Sequence, residues 1–165
     1  MGVGRMRFFS STTKNRIDAK GRVSIPAPFR KVLEREAQPG VVLIPRMVGD
    51  PAIDCLGMAR FEEMADAIDD MAPLDPVTIA LSNKIIGQAR QVQIDDTGRI
   101  VLSPDLRKDF DLGGEEALFV GLGKTFQIWN PDAYKARQDG YDALAMANFD
   151  KLRLRGRGGA GSAGA

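Results

Sequence analysis

The chain has 165 residues, of which 44% are hydrophobic and 27% are charged, a composition typical of a globular protein of one or two small domains. One cysteine and no histidine exclude an internal disulfide, a multi-cysteine zinc site and histidine-dependent catalysis. The net charge is +1, but positive and negative residues are concentrated in different segments. Residues 1–35 carry nine Lys or Arg and two acids, whereas residues 50–76 carry eight acids and a single basic residue, Arg60. The basic segment indicates either a face that binds a polyanion or a solvated face balanced by acidic neighbours.

A fifteen-residue segment occurs twice in the chain. Residues 17–31 align with residues 94–108 at a constant offset of 77 without a gap, and six of the fifteen positions are identical. In each copy the pattern Asp-x-x-Gly predicts a tight turn. The aspartate carboxylate can accept hydrogen bonds from the backbone N–H groups that follow it, and glycine readily adopts a positive φ. Two copies indicate a duplicated unit rather than a solenoid.

The elements around the two segments repeat as well. Each copy is predicted to form a strand, the turn, a second strand, a short helix and two more strands. The last two strands fall at 41–44 and 53–56 in the first copy and at 117–122 and 125–129 in the second, and Ser103 is a favourable N-cap for the second short helix. Since a unit of about 45 residues is too small to bury a good core, the two copies are expected to interlock or to pack as a pseudo-dimer.

Helices connect and finish the two units. The apolar spacing predicts an amphipathic helix over 59–72 with an acidic outer face, a second helix that opens at Asp75, and a C-terminal helix that opens after Asn130. The Gly-rich sequence from Gly156 onward is expected to be disordered. These predictions divide the chain into a first module (12–58), connecting helices (59–88), a second module (89–132), a C-terminal helix (133–155) and a tail (156–165).

Two Asp-x-x-Gly-Arg turns, each followed by a strand and a helix with Phe-Arg or Leu-Arg, and a strand over Phe126–Trp129 resemble the MraZ family across roughly residues 7–145. The resemblance implies an α+β, β-rich fold of two tandem AbrB-like swapped-hairpin modules, each a β-barrel, with short connecting helices. It also implies a bacterial transcriptional regulator, a repressor that forms an oligomeric ring. Such a ring binds short repeated DNA elements upstream of the division and cell-wall gene cluster, including its own promoter. By the same resemblance, the Asp18–Arg22 turn contacts the DNA.

The chemistry of the first turn agrees with a DNA contact. A hairpin can enter the major groove as a two-stranded ribbon, and Arg22 can donate two fixed hydrogen bonds to a guanine, which lysine cannot. Asp18, at the other end of the turn, is expected to pair with Arg22 and hold its guanidinium in place. Basic residues nearby are candidates for phosphate contacts, and these are Arg7, Lys14, Arg16, Lys20 and Arg30.

The second copy of the turn has a different charge. Asp96 adds an acid within it, and uncharged Gln91 and Gln93 stand where the first copy has a lysine and an arginine, so phosphate would be repelled. We therefore assign DNA contact to the first module and packing or oligomer contact to the second. Five residues are assigned to the shape and orientation of the two turns: Asp18, Gly21, Asp95, Gly98 and Arg99.

Other interpretations of the same residues stay open. Arg22 could serve only as the structural partner of Asp18, and Arg30 recurs as Arg107, which fits a shared structural pairing equally well. The acidic helix could bind a protein partner, as in the antitoxin-like relatives of this fold. A nucleotide-binding enzyme is disfavoured, because Gly121–Thr125 lacks the first glycine of a phosphate loop and precedes a strand instead of a helix.

The sequence therefore predicts a DNA-binding regulator that is not an enzyme. Its expected partners are double-stranded DNA and further copies of the same chain, with no cofactor, metal, membrane or small-molecule substrate. Because no apolar run reaches the length of a membrane span and the N-terminal residues do not form a signal peptide, the expected location is the cytoplasm, in association with the nucleoid.

Overall fold

The computed structural model describes residues 7–156. The chain divides into two compact units, one up to Tyr134 and one from Lys135 onward. The strands of the described residues are β1 (Thr12–Arg16), β2 (Arg22–Ser24), β3 (Val41–Pro45), β4 (Ile53–Leu56), β5 (Arg90–Val92), β6 (Arg99–Val101), β7 (Glu116–Gly121) and β8 (Phe126–Trp129). The α-helices of the same region are α1 (Ala27–Leu33), α2 (Met58–Asp69), α3 (Pro76–Leu81), α4 (Pro104–Asp109) and α5 (Pro131–Asn148). A π-helical turn follows α3 over Ser82–Ile86, and a 3-10 turn follows α5 over Phe149–Lys151.

The two repeats share one antiparallel sheet. Its strand order is β1-β7-β8-β4-β3-β5, so that β1 of the first repeat pairs with β7 of the second, and β5 of the second repeat pairs with β3 of the first. The remaining strands, β2 and β6, pair with each other as a separate two-stranded ribbon with Val23 opposite Ile100. Each repeat therefore completes the sheet of the other, so that interlocking is the one of the two expected arrangements that the structure shows. The predicted β-rich α+β class is confirmed.

The predicted β-barrel closure is wrong, because the six-stranded sheet of the described residues is open. Its edges are β1 and β5, which do not pair with each other. Strands β2 and β6 are only three residues long, and a proline follows each of them within three residues, at Pro26 and Pro104. Since proline has no N–H to extend a ladder, β2 and β6 stay short and pair with each other, and β2 meets the end of β1 in a single bridge between Ile17 and Val23.

The main hydrophobic core is built from both repeats. The ring of Phe126 in β8 lies 5.0 Å from the ring of Phe29 in α1 and 4.8 Å from the ring of Phe9, measured between centroids. Val23 and Ile100, the central pair of the β2–β6 ribbon, are also buried in this core. Because the first repeat supplies Phe29 and the second supplies Phe126, neither repeat encloses this core by itself.

The helices follow the sequence signals, with one exception. Phe61 and Met64 of α2 pack against the sheet, and the Asp75 carboxylate accepts a 2.8 Å hydrogen bond from the backbone N–H two residues later, which confirms the predicted N-cap of α3. Ser103 holds the N-cap position of α4, but its side chain makes no capping hydrogen bond. The predicted cap is wrong in this respect, because the Ser103 hydroxyl accepts a 2.9 Å hydrogen bond from Nη1 of Arg90 instead.

The end of the chain carries the predicted C-terminal helix. Helix α5 begins at Pro131, as the sequence indicates, and ends at Asn148. The expected disorder of the Gly-rich tail lies outside the described residues from position 157 onward. Between residues 7 and 156, no helix combines the length and the apolar character that crossing a membrane would require.

Candidate nucleic-acid interface

The first turn is held together by the Asp18 carboxylate. Its Oδ1 accepts 2.9 Å hydrogen bonds from the backbone N–H groups of Lys20 and Arg22, and its Oδ2 accepts a 2.6 Å hydrogen bond from Nε of Arg22. The backbone closes the same turn, since the N–H of Gly21 donates to the Asp18 carbonyl at 3.0 Å. The expected Asp18–Arg22 pair is therefore present, and it leaves both Nη groups of the guanidinium outside the pair.

The second turn repeats this geometry and adds a hydrogen bond. Oδ1 of Asp95 accepts from the backbone N–H groups of Thr97 and Arg99, each at 2.9 Å, and Oδ2 accepts from Nε of Arg99 at 3.1 Å. The Thr97 hydroxyl also donates to Oδ1 of Asp95 at 2.8 Å, a bond that Lys20 cannot make at the equivalent position of the first turn. The two turns therefore share one backbone design and differ in their side chains.

Both aspartates are held in the ionised form. The pKa of Asp18 is lowered chiefly by the hydrogen bond from the backbone N–H of Arg22. The pKa of Asp95 is lowered to about 2, first by the backbone N–H of Arg99 and then by the Thr97 hydroxyl. Hydrogen bonds to a carboxylate favour its charged form, so each aspartate stays ionised at neutral pH and keeps its arginine in place.

Each turn is completed by the other repeat. The N–H of Leu102 donates to the Gly21 carbonyl at 2.8 Å, and the N–H of Ile25 donates to the Gly98 carbonyl at 2.9 Å. Both glycines have a positive φ, +81° at Gly21 and +82° at Gly98, which other residues adopt only with strain. The ribbon of β2 and β6 thus ties the two turns to each other.

Two arginines cover these glycines from the opposite repeats. A Cβ atom added to Gly21 would lie 2.8 Å from Nε of Arg107, and a Cβ atom added to Gly98 would collide with the Arg30 side chain. Nη1 of Arg30 also approaches the Thr97 carbonyl at 3.5 Å. Arg30, a candidate DNA contact, therefore packs on the second turn, and its counterpart Arg107 packs on the first.

The other candidate basic residues are solvent-exposed. Arg7 and Lys20 are exposed, and so are Lys14 and Arg16, which alternate along the edge strand β1 and therefore share one of its faces. Nη2 of Arg16 lies 3.8 Å from Oε2 of Glu115, in an ion pair whose side chains are both more than 80% exposed. Such a pair is weak and screened, so it leaves Arg16 free to exchange its partner for a phosphate.

The structure groups two of the candidates in one cleft. Arg16 and Arg22 line a cavity of about 600 Å³ together with Arg99 and Arg107 of the second repeat. The sequence analysis assigned only structural roles to Arg99 and Arg107. The one signal for a further role was that Arg107 occupies the same position in the second repeat as Arg30, a candidate DNA contact, in the first. The structure thus brings guanidinium groups of both repeats to the first turn.

The segment with the partial phosphate-loop pattern is a connection between two strands. Gly121–Thr125 forms a tight turn between β7 and β8, closed by a 2.9 Å hydrogen bond from the Leu122 N–H to the Thr125 carbonyl, and no helix follows it. Across residues 7–156, no group of three or more histidine, cysteine or acidic residues is arranged to hold a metal ion.

The comparison with known proteins gives one family. A family model described as "MraZ protein, putative antitoxin-like" matches residues 85–153. The protein of Gluconobacter oxydans named transcriptional regulator MraZ is 40% identical over 136 residues, which cover 81% of this chain and 82% of that protein. Proteins of the same name from Pelagibacter ubique and Parvibaculum lavamentivorans are 35% and 34% identical, over 90% and 93% of this chain and 93% and 99% of theirs.

The relatives are named transcriptional regulators, and transcriptional regulators are not a class of enzyme. Their name therefore agrees with the prediction of a protein that is not an enzyme. Because the identity extends over nearly the full length of both partners and includes both repeats, this chain belongs to the MraZ family.

Proposed function

We propose that this chain is a sequence-specific DNA-binding transcriptional regulator that contacts DNA through the turn at Asp18–Arg22. The name of its relatives supports the class of function. The observation that carries the proposal is the contrast between two turns of equal geometry. The first turn exposes Lys20 beside a basic strand, whereas the second exposes the acidic Asp96. Phosphate attracts the first turn and repels the second.

Within the first turn, Arg22 is the base-reading residue. Asp18 binds its Nε at 2.6 Å and so fixes the plane of the guanidinium, while the two Nη groups remain available. Two parallel donors in a fixed plane match O6 and N7 of guanine in the major groove. The ribbon and the bond from Leu102 hold the turn rigid before DNA arrives, which lowers the entropy cost of binding.

The exposed basic residues around the turn supply the phosphate contacts. Lys14, Arg16 and Lys20 are exposed, as is Arg7, and each can release counterions from the duplex without reading its sequence. A few such contacts bind weakly in one subunit. A ring of subunits that meets repeated DNA elements gains affinity through effective concentration, and this is the assembly that we propose.

The proposed regulatory role follows the family. The ring acts as a repressor at the promoter of the division and cell-wall gene cluster, its own gene included, and it resides in the cytoplasm in association with the nucleoid. No cofactor takes part in this mechanism, because the turn, its arginine and the surrounding basic side chains supply all the required donors.

The proposal is tested by titration of the full chain onto DNA from upstream of its own gene and onto a scrambled duplex of equal length, over a salt series. Arg22→Ala is measured beside its matched control, Arg99→Ala, which removes the same pair from the second turn. We expect Arg22→Ala to lose the preference for the upstream DNA by about tenfold or more, since one bidentate base contact contributes about 1–3 kcal/mol. Arg99→Ala should retain the preference while binding both duplexes more weakly, because Arg99 also lines the cleft beside the first turn.

Two results would contradict the proposal. Equal binding of both duplexes by the native chain would remove the sequence-specific function, and the exposed acidic face of α2 would then become the candidate surface for a protein partner. An equal loss of preference in Arg22→Ala and Arg99→Ala would remove the special role of the first turn. Sedimentation of both variants controls for assembly, since a change in oligomeric state would alter affinity by itself.

A further inference from the structure

The cleft beside the first turn contains an arginine without a partner. Among the described residues, the side chain of Arg107 makes no hydrogen bond or ion pair, and its Nε is buried. The other arginines of the cleft are engaged, since Arg22 pairs with Asp18, Arg99 with Asp95, and Arg16 with Glu115. Because Nε lies over Gly21, the donors that Arg107 can offer to an anion in the cleft are its two Nη groups.

The cleft has the charge that attracts a phosphate group and more than enough room for one. The cleft has a volume of about 600 Å³ and is lined by four arginines. The two carboxylates in its lining, Asp18 and Glu115, are each already paired with an arginine. Arginine presents parallel N–H donors that bind phosphate in a bidentate manner. Arg107 and the exposed Arg16 line the same cavity from opposite repeats and can therefore approach one phosphate from two sides.

The equivalent cleft of the other turn has the opposite character. It measures about 210 Å³ and is lined by Arg30, Glu34, Asp95 and Asp96, so that three carboxylates face one guanidinium. Arg30 occupies the position of Arg107 in the repeat, and its Nε is likewise buried without an acceptor, but its Nη1 contacts the Thr97 carbonyl at 3.5 Å. The cleft beside the second turn is therefore an internal control for the cleft beside the first. Arg30 takes the place of Arg107 on the same backbone, but its neighbours are carboxylates instead of further guanidinium groups.

We infer that the cleft between the first turn and helix α4 is a phosphate-binding site, with Arg107 as its principal ligand and Arg16 as the second. The inference rests on the proposed function for the source of the phosphate, which is the DNA backbone next to the base that Arg22 reads. A free phosphate has the same chemistry and would bind in the same place. The second repeat then takes part in DNA binding through α4, although its own turn does not.

The test uses the full chain, inorganic phosphate and the scrambled duplex as probes. The midpoint of thermal unfolding is measured against phosphate concentration at constant ionic strength, with chloride as the reference salt, because a ligand that binds the folded state raises this midpoint. Arg107→Gln is compared with the matched variant Arg30→Gln. We expect phosphate to stabilise the native chain and Arg30→Gln in a saturable manner, and Arg107→Gln to bind phosphate about tenfold more weakly.

Binding to the scrambled duplex tests whether the cleft beside the first turn also binds a phosphate of the DNA backbone. On the scrambled duplex, the slope of log affinity against log salt should fall by about one in Arg107→Gln and should stay unchanged in Arg30→Gln. If Arg107→Gln does not fold, Arg107→Lys keeps the charge but loses the planar fork, and it should still weaken phosphate binding. Full phosphate affinity in Arg107→Lys would then overturn the inference.

The outcomes separate the inference from the proposed function. A phosphate effect no larger than that of chloride, or one that both glutamine variants lose equally, overturns the site while leaving the preference for upstream DNA to stand. Phosphate binding that depends on Arg107, in a chain that shows no preference for upstream DNA, establishes a site for free phosphate and removes the regulator function.

Discussion

The two turns of this molecule have the same backbone and opposite surroundings. In each, an aspartate accepts hydrogen bonds from the backbone two and four residues later and pairs with the arginine of the same turn. The first turn lies beside a cleft with four arginines, whereas the second lies beside a cleft with three carboxylates. The shared motif therefore builds a stable turn, and the side chains around it decide whether that turn can approach a polyanion.

The contrast also extends to what covers each turn. A Cβ atom at Gly21 would lie 2.6 Å from the Leu102 carbonyl oxygen, which is backbone, whereas the three atoms nearest to a Cβ atom at Gly98 all belong to the flexible Arg30 side chain. A side chain can move aside, but a backbone carbonyl in a ribbon cannot. The first turn is thus the more rigidly enclosed of the two, which suits a turn that presents an arginine to DNA.

The largest effect is expected from alanine at the turn glycines. Gly21→Ala should lower the free energy of unfolding by about 3 kcal/mol, because it adds backbone strain at positive φ and a clash with a backbone atom. Gly98→Ala should cost about 2 kcal/mol, since Arg30 can swing away. Gly49→Ala, at φ +89° in open space, should cost about 1 kcal/mol and isolates the strain. Urea denaturation at fixed protein concentration measures all three, and an equal cost at Gly21 and Gly98 would contradict the difference in enclosure.

An exchange of turn sequences should have an intermediate effect. Ala19→Asp with Lys20→Thr gives the first turn the residues of the second, and it should lower affinity for the upstream DNA about tenfold while the free energy of unfolding changes by less than about 0.5 kcal/mol. The reverse exchange, Asp96→Ala with Thr97→Lys, should raise affinity for the scrambled duplex. Fluorescence anisotropy at one salt concentration measures both. Unchanged DNA affinity in the first exchange would show that turn charge does not decide the function.

The smallest effect concerns acid stability. The pKa of Asp95 in the folded chain is about 2, below its ordinary value of 3.8, so its charged form contributes stability above about pH 3.8 that is lost as the pH falls toward 2. Asp95→Asn should therefore flatten the decrease of the urea midpoint in this window. Asp18→Asn should flatten it less, because Asp18 lacks the hydroxyl donor that Thr97 gives to Asp95. A steeper effect of Asp18→Asn would reverse this ranking of the two turns.

A buried polar network shows where sequence reasoning could not reach. Nε2 of Gln127 donates to Oδ1 of Asp54 at 2.9 Å, and Nε1 of Trp129 donates to Oε1 of Gln127 at 2.8 Å. Asp54 and Gln127 are 73 residues apart, and both are buried where β4 meets β8. Burial raises the pKa of Asp54. No local sequence pattern predicts this network, because it forms only when β4 and β8 become neighbours in the sheet.

The sequence by itself determined the local features of this protein. The two turns, their glycines and aspartate–arginine pairs, the Asp75 cap and the strands that follow were predicted correctly, because each depends on residues a few positions apart. The assembled fold was needed to show the open sheet, the choice between interlocking repeats and a packed pseudo-dimer, and the packing of Arg107 and Arg30 on each other's turns. These features join residues about 70 positions apart, as in the contact between Arg30 and Thr97, and such contacts are selected by burial and sheet pairing, which a pattern of neighbouring residues does not specify.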